Sequence, residues 1–516
     1  MFDYVIVGAG SAGCVLANRL SHDPNVRVLL IEAGPRDTIK EIRIPAAFGK
    51  LFRTAIDWAF YTEPQPHLYN RSLYWPRGKT LGGSSSINAM IYIRGNRRDY
   101  DRWAELGATG WDYDSLHLLF ERTLLNLSVT SLHEPNPLSK AMLDAAEQAG
   151  FARNHDFNGP AQDGFGMYRV TQRKGQRHSA ADAFLHSERG RPNLTVRTDA
   201  LVTSLIIERG RAVGVRLAVN GAAEEVRADR EVIVAAGAVK SPQLLMLSGI
   251  GPADHLRSVG ITPVVDLPGV GENLQDHPVA MVTYQSKRPC SLAVATSPMS
   301  VCRYLISKRG MLASNVGECG GFVRTRPGLD RPDLQFHFAP AYFIEHGFQT
   351  PPGHGFTFGP TLVRPESRGW IRLRSSDPSS PPAIQPNYLQ SSADLEVLVE
   401  GIQMARRIAG QTAMDEFRGA EHLPGAGEQD LHAYVRRTLE TLYHPVGTCK
   451  MGVDEMAVVD PQLRVRGVEG LRVVDASIMP EVVTGNTNAP TMAIAEKAAA
   501  MMLGNETKAA GRGSMV

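Results

Sequence analysis

The sequence predicts an α/β protein in two interleaved units, one with a mostly parallel sheet and one with an antiparallel sheet backed by helices. Three observations predict it. The chain has 516 residues, beyond the length at which a single hydrophobic core keeps growing. Its first residues read as strand, glycine turn, helix and strand, and the same βα style returns twice later. Between those returns, over 332–373, apolar residues alternate with polar ones instead.

The elements follow in order. Residues 4–7 ("YVIV") make a short buried strand, 8–13 a glycine turn, and a helix starts at Ser11 and ends near Leu20. "VRVLLIEAG" at 26–34 is a second buried strand, giving a βαβ unit whose parallel sheet needs helical cover. "REVIVAAGAVKSPQLLMLSGIG" predicts a strand at 231–235, a small-residue turn at 236–238 and a helix over 241–248. In "LQFHFAP", Leu334, Phe336 and Phe338 share one face and Gln335 and His337 the other, as in a half-buried antiparallel strand. "LRVVDASIMP" at 471–480 is a further buried strand, followed by a loop and a helix at 490–503. The tail at 508–516 has no packing pattern and is expected to be disordered. The first unit is expected at 1–155, 193–298 and 455–507, and the second at 156–192 and 299–454.

Composition narrows the function. Basic and acidic side chains number 55 and 53, a net charge of +2, so no overall field gathers nucleic acid. The five cysteines are scattered without a CxxC, which suggests neither a disulfide framework nor a zinc site and fits a reducing compartment. A strand begins almost at the first residue, which leaves no room for an export signal. No apolar run reaches about 18 residues, so no membrane-spanning helix is expected. The expected location is cytoplasmic, with peripheral contact to the inner membrane left open.

"GAGSAG" at 8–13 fits the dinucleotide turn: Gly8 permits the bend, Gly10 lets backbone approach a pyrophosphate, and Gly13 lets helix pack on strand. The helix start at Ser11 offers free amides to the diphosphate. Glu32, nineteen residues past Gly13, stands where a carboxylate accepts ribose hydroxyls and disfavours a 2′-phosphate. These residues do not separate NAD from FAD. A second glycine-serine turn, "PRGKTLGGSSSINAMIYIRGN" at 76–96, permits close backbone approach at Gly82 and Gly83 but reads equally as a flexible loop. "LYHPVGTCKMG" at 442–452 sets His444 between an aromatic residue and a Pro/Gly turn, and "TGNTNAPT" at 484–491 is rich in amides. Either stretch reads as a surface turn as readily as an active-site element.

Taken together the motifs resemble the glucose–methanol–choline oxidoreductases, FAD-dependent alcohol dehydrogenases and oxidases, over nearly the whole chain. The resemblance rests on "GKTLGGSSSINAMI" at 78–91, "GAVKSPQLLMLSGIG" at 237–251, "GVGENLQDHP" at 269–278, "HPVGTCKMG" at 444–452 and "GNTNAPT" at 485–491. It implies a Rossmann-like FAD-binding domain and a substrate domain. The ADP half would draw on Gly8, Gly10, Ser11, Ala12, Gly13, Glu32 and Ala33, with Val202 as a backbone partner of adenine. Gly83, Ser84, Asn88, Ala89 and Met90 would flank the flavin, and Ala236, Gly237, Asp475, Ala476, Asn486 and Asn488 complete the cofactor site. Some relatives attach FAD covalently through a histidine just before the asparagine that is Asn88 here; Ile87 occupies that position, so FAD is expected to dissociate.

The resemblance assigns the catalytic pair to His444 and Asn488. A neutral imidazole suits the removal of an alcohol proton, and a fixed amide donor stabilises charge growing on the oxygen. The implied reaction is oxidation of a primary alcohol to an aldehyde, with hydride transfer to flavin N5. Glu318 in "NVGECGGF" is a candidate partner for a cationic alcohol such as choline, although no dense aromatic cluster reads as an ammonium cage. "HFAPAYFIEHGF" at 337–348 offers apolar lining for an aliphatic or aryl alcohol. A lyase or light-driven decarboxylase on this fold, or an inactive flavin-binding protein, are the other readings. Neither the electron acceptor, be it oxygen, a quinone or another carrier, nor the oligomeric state follows from these residues.

Overall fold

The structure, a computed structural model, describes residues 1–188 and 190–504. The tail expected at 508–516 lies outside them. Strand Phe2–Val7 sits at the centre of a seven-stranded sheet, parallel to Val28–Ile31 on one side and to the end of Ala222–Val234 on the other. Val5 faces Leu29 and Val232 across the ladders. Leu194–Arg197 and Leu471–Val473 extend the parallel part. Both faces are covered, which is why "YVIV" and "VLLI" are continuously apolar. Helix Ser11–Leu20 covers one face and packs against Asn488–Met502.

Several elements differ from expectation for identifiable reasons. Ala222–Val234 begins nine residues before the expected 231, because its first half, "AAEEVRADR", is too charged to read as buried strand. That half instead pairs antiparallel with Arg211–Val219, which pairs with Ala200–Glu208. The following helix is Gly237–Leu247, so the small residues expected as a turn are its first turn. The expected strand at 471–480 ends at Val473, because Asp475 caps a 3₁₀ turn over Ala476–Ile478. The C-terminal helix starts two residues before 490, at Asn488.

A second sheet of eight strands is antiparallel throughout. It includes Leu334–Ala339, Gly355–Leu362 and Cys319–Val323. Pro278–Val279 and Val282–Ser286 also pair within it, so the chain crosses into this sheet near 278 rather than at 299. Helices Pro137–Gln148 and Ser392–Ala409 cover one face. Leu334–Ala339 is therefore not half-exposed: Gln335 is fully buried, and His337 lines an internal cavity on the other face.

Elements distant in sequence are tied by charge as well as packing. Glu496 of the C-terminal helix is fully buried between Arg19 at 2.6 Å and Arg122 at 3.1 Å. Among the described residues no helix is long and apolar enough to cross a membrane.

Candidate active site

A single elongated cavity runs from the glycine turn of the parallel sheet to the open face of the antiparallel one. At its first end Gly8 adopts φ +101°, and a side chain there would strike the Ala235 carbonyl at 2.5 Å. A Cβ on Gly13 would lie 1.9 Å from the Gly8 carbonyl, so helix and turn touch backbone to backbone. Gly10 is different: a Cβ there meets nothing within 4 Å and points into the open slot, the feature a close-lying pyrophosphate requires. The Glu32 carboxylate accepts from the amides of Ala9 at 3.0 Å and Gly34 at 2.9 Å. Burial outweighs those bonds and pushes its pKa up to about 7.

The second glycine-serine turn closes over the first. Gly82 N donates to Ala9 O at 2.8 Å, and a side chain on Gly83 would press against Gly10 Cα at 2.7 Å. Asn88 Oδ1 is held by Arg177 Nη1 at 2.7 Å and by the Met90 amide at 3.0 Å. Asp475 Oδ2 accepts from Gly237 N at 2.8 Å and Ser241 Oγ at 2.5 Å, which anchors the start of helix Gly237–Leu247. Ser11, Ala12, Ala33, Ser84, Ala89, Val202, Ala236 and Ala476 also line the cavity. Of the residues expected to hold the cofactor, only Gly13 stands behind the wall rather than on it. Trp58 and Lys240 line it as well; the Lys240 amine lies 4.5 Å from the indole centroid. Burial and the neighbouring Lys79 lower its pKa to about 8. Nothing in their local sequence marks these two.

At the far end two strand fragments pin His444. Pro278 and Val279 pair with Thr441 and Glu440, while Gln275 and Val446 exchange backbone bonds at 3.1 and 2.9 Å. His277 and His444 are thereby set face to edge, with their Nδ1 atoms 3.0 Å apart. Asp276 Oδ1 accepts from His444 N at 2.7 Å, and its Oδ2 accepts from Thr441 Oγ1 at 2.6 Å and from the Tyr388 hydroxyl. Tyr443 takes a left-handed φ of +70° to bring the ring round.

Asn486, not Asn488, stands beside this histidine: its Nδ2 lies 3.2 Å from His444 Nε2. Asn486 Oδ1 accepts from Gln335 Nε2 at 3.2 Å, which orients the amide with its donor toward the imidazole. Asn488 begins the C-terminal helix, where its Oδ1 accepts from Ser11 Oγ at 2.7 Å and so ties two helix starts together. With Asn486 donating to Nε2, a neutral His444 carries its proton on Nδ1 and gives it to His277 Nδ1. Burial chiefly, then His277, His337 and Arg77, holds the His444 pKa well below the usual histidine range. His337 lines the same end, and its Nε2 is buried without a partner.

Two other expectations change. Glu318 does not face the cavity; it is 1% exposed and accepts from Asn136 N, Ser139 Oγ and Ser314 Oγ at 2.7, 2.7 and 2.6 Å. Aromatic residues do gather at the histidine end: Phe52 lies 5.9 Å from Phe48 and 5.8 Å from Tyr443, and Phe343 lies 6.0 Å from Phe48. They come from three separate segments, so local composition did not reveal them. In a trio with metal-ligating side chains, Asp37, Asp182 and His186, the two carboxylates already hold the Arg43 guanidinium.

Known proteins resemble this chain throughout. The family described as GMC oxidoreductase matches residues 2–279 with its N-terminal part and 365–495 with its C-terminal part. An alcohol dehydrogenase [acceptor] of Pseudomonas putida is 47% identical over 98% of this chain and 96% of its own length. The mitochondrial choline dehydrogenase of Homo sapiens is 45% identical over 98% and 90%. Among solved structures, pyridoxine 4-oxidase from Mesorbium loti superposes with a TM-score of 0.88 at 32% identity, covering 97% of this chain and 98% of the other. A variant of Aspergillus oryzae formate oxidase superposes at 0.91 with 29% identity, over 98% and 99%.

Proposed function

The chain belongs to the GMC oxidoreductase family, and on that footing we propose that it oxidises a neutral primary alcohol to the aldehyde with FAD as cofactor and His444 as base. The observation that carries the reading is the 3.2 Å pairing of His444 Nε2 with Asn486 Nδ2 at one end of a cavity whose other end is a dinucleotide turn. The open slot at Gly10, the pinned Glu32 and the backbone contact of Gly83 with Gly10 all suit FAD. When bound, FAD supplies the acceptor for the hydride that leaves the carbinol carbon.

The chain's own residues would do the rest. His444 Nε2 takes the hydroxyl proton, a step typically worth about 10²- to 10⁴-fold. Asn486 Nδ2 donates to the oxygen as negative charge grows there. His277 accepts from His444 Nδ1 and so keeps Nε2 free to act. Burial beside His277, His337 and Arg77 makes the imidazolium costly, which favours passing its proton on to solvent after each turnover. FAD should be dissociable, since the wall position that bears a histidine in covalently linked relatives is Ile87.

Charge favours a neutral substrate over choline. The carboxylates lining the cavity are Glu32 and Asp475, both committed to backbone amides. Asp276 is buried behind His444 with its oxygens taken, and Arg77 lines the cavity. The aromatic group at Phe48, Phe52, Phe343 and Tyr443 is the feature of the cavity that favours a cationic alcohol, beside the likeness to choline dehydrogenases, and is worth up to about 2 kcal/mol through cation–π contact. Anaerobic mixing with aliphatic alcohols, aryl alcohols and choline decides: neutral alcohols should bleach the flavin absorption. Bleaching by choline alone, or by no alcohol, overturns the reading.

A further inference from the structure

Twelve large apolar side chains are exposed among the described residues, and three of them sit on one ten-residue helix, Pro298–Ser307: Met299 at 82%, Leu305 at 64% and Ile306 at 81%. Of this helix only Tyr304 is buried. Its hydroxyl donates to Arg43 O at 3.3 Å and Gly175 O at 3.2 Å and fastens the helix to the body. The apolar side chains point outward, the reverse of what burial in a folded chain favours.

Four cations flank this ridge. Lys308 and Arg309 follow directly on the helix end. The Gly175 turn lies so close that a Cβ on it would meet Lys308 O at 1.9 Å, which sets Arg173 and Lys174 beside them. Among the described residues none of these four cations is in an ion pair, whereas Arg303 on the helix is matched by Glu134 at 2.8 Å. The ridge also adjoins one wall of the active cavity. Tyr304 and Leu312 pack with Ile44 and Ala46, and the turn Pro45–Leu51 that follows carries Phe48, part of the cavity wall.

We propose that this ridge seats the protein on an anionic phospholipid bilayer, with Met299, Leu305 and Ile306 entering the boundary between headgroups and acyl chains. A short interfacial helix flanked by Lys and Arg has the chemistry for that surface. A ten-residue helix is only about 15 Å long, too small by itself for the roughly 1,000 Å² of a stable protein interface. Seating here brings the Phe48 wall of the cavity toward the membrane surface. The binding itself does not depend on the alcohol reading.

Flotation of the FAD-loaded protein with vesicles of phosphatidylcholine and phosphatidylglycerol, against phosphatidylcholine alone, tests it. The wild type should float with the anionic vesicles, less so at high salt. Leu305→Asp/Ile306→Asp and Arg173→Glu/Lys174→Glu should each lower the partition by about tenfold or more. Both variants should keep the wild-type flavin spectrum, melting temperature and alcohol-driven reduction without vesicles. Cys302 on the same helix is exposed while Cys14, Cys319 and Cys449 are buried, so a polarity-sensitive dye there should shift to the blue on binding. No flotation, flotation undiminished in both variants, or a wild-type dimer that Ile306→Asp dissociates without any vesicle binding, each overturns the proposal.

Discussion

His444 is served on both ring nitrogens, by His277 on one and Asn486 on the other, and each contact carries its own consequence. His277→Phe removes the acceptor that fixes the tautomer; flavin reduction should slow by roughly tenfold or more while FAD content holds. His277→Asn, whose side-chain oxygen can still accept, should recover part of that rate. Equal rates in all three proteins would show that His277 is packing alone. Asn486→Ala should cost about 10²- to 10³-fold in reduction, the usual toll of losing an oxyanion donor. Asn488→Ala, by breaking the bond to Ser11, should weaken FAD retention more than it slows reduction. The opposite pattern would restore the assignment expected from the motif. Two asparagines in one turn look alike in sequence. That His444 lines the cavity was legible from its motif; Gln335 and His337 were not legible, because a polar residue alternating along a strand reads as its wet face, and nothing in "GVGENLQDHP" marks His277 as the residue that meets His444.

Among the elements, the glycine turn was the most legible, since strand, turn, helix and acid stand in one local run. The cavity's other walls come from contacts between segments hundreds of residues apart, which no local pattern encodes. Gly10→Ala separates fold from cofactor: its methyl meets no protein atom within 4 Å. The apoprotein should melt within about 1 °C of wild type, and fluorescence titration should show FAD affinity reduced at least tenfold. Unchanged affinity would mean that the slot is not where the diphosphate lies. Helix Ser11–Leu20 and the C-terminal helix hold the turn in place partly through Glu496. Glu496→Ala strands Arg19 and Arg122 beside a buried gap and should destabilise by about 3 kcal/mol, read as a lower melting temperature. The charged half of Ala222–Val234 shows the limit from the other side: a strand that pairs at a hairpin edge needs no apolar run.

For the molecule as a whole, the buried histidines set an acid limit. His277 and His337 have pKa values of about 3, both chiefly through burial, against about 6.5 in an unfolded chain. Below pH 6.5 the unfolded state binds protons that the folded state refuses. Stability present above that pH is therefore lost progressively toward pH 3, by roughly 1.4 kcal/mol per unit for each group. Glu32 acts in the opposite sense: raised to about 7, it adds stability that is full below about 4.5 and lost as pH rises through 7. His337→Asn should therefore lose melting temperature less steeply than wild type between pH 6.5 and 4.5, and parallel curves would refute the linkage. The depressed pKa of His444 makes a kinetic claim too, because a base that stays neutral keeps working below pH 6.5. Stopped-flow anaerobic reduction by a saturating neutral alcohol, followed from pH 5 to 9 in wild type and His444→Ala, tests this most directly. Wild type should hold a plateau that extends below pH 6.5, and His444→Ala, with full FAD content, should be about 10²- to 10⁴-fold slower at pH 7. Reduction of His444→Ala at the wild-type rate would contradict the account.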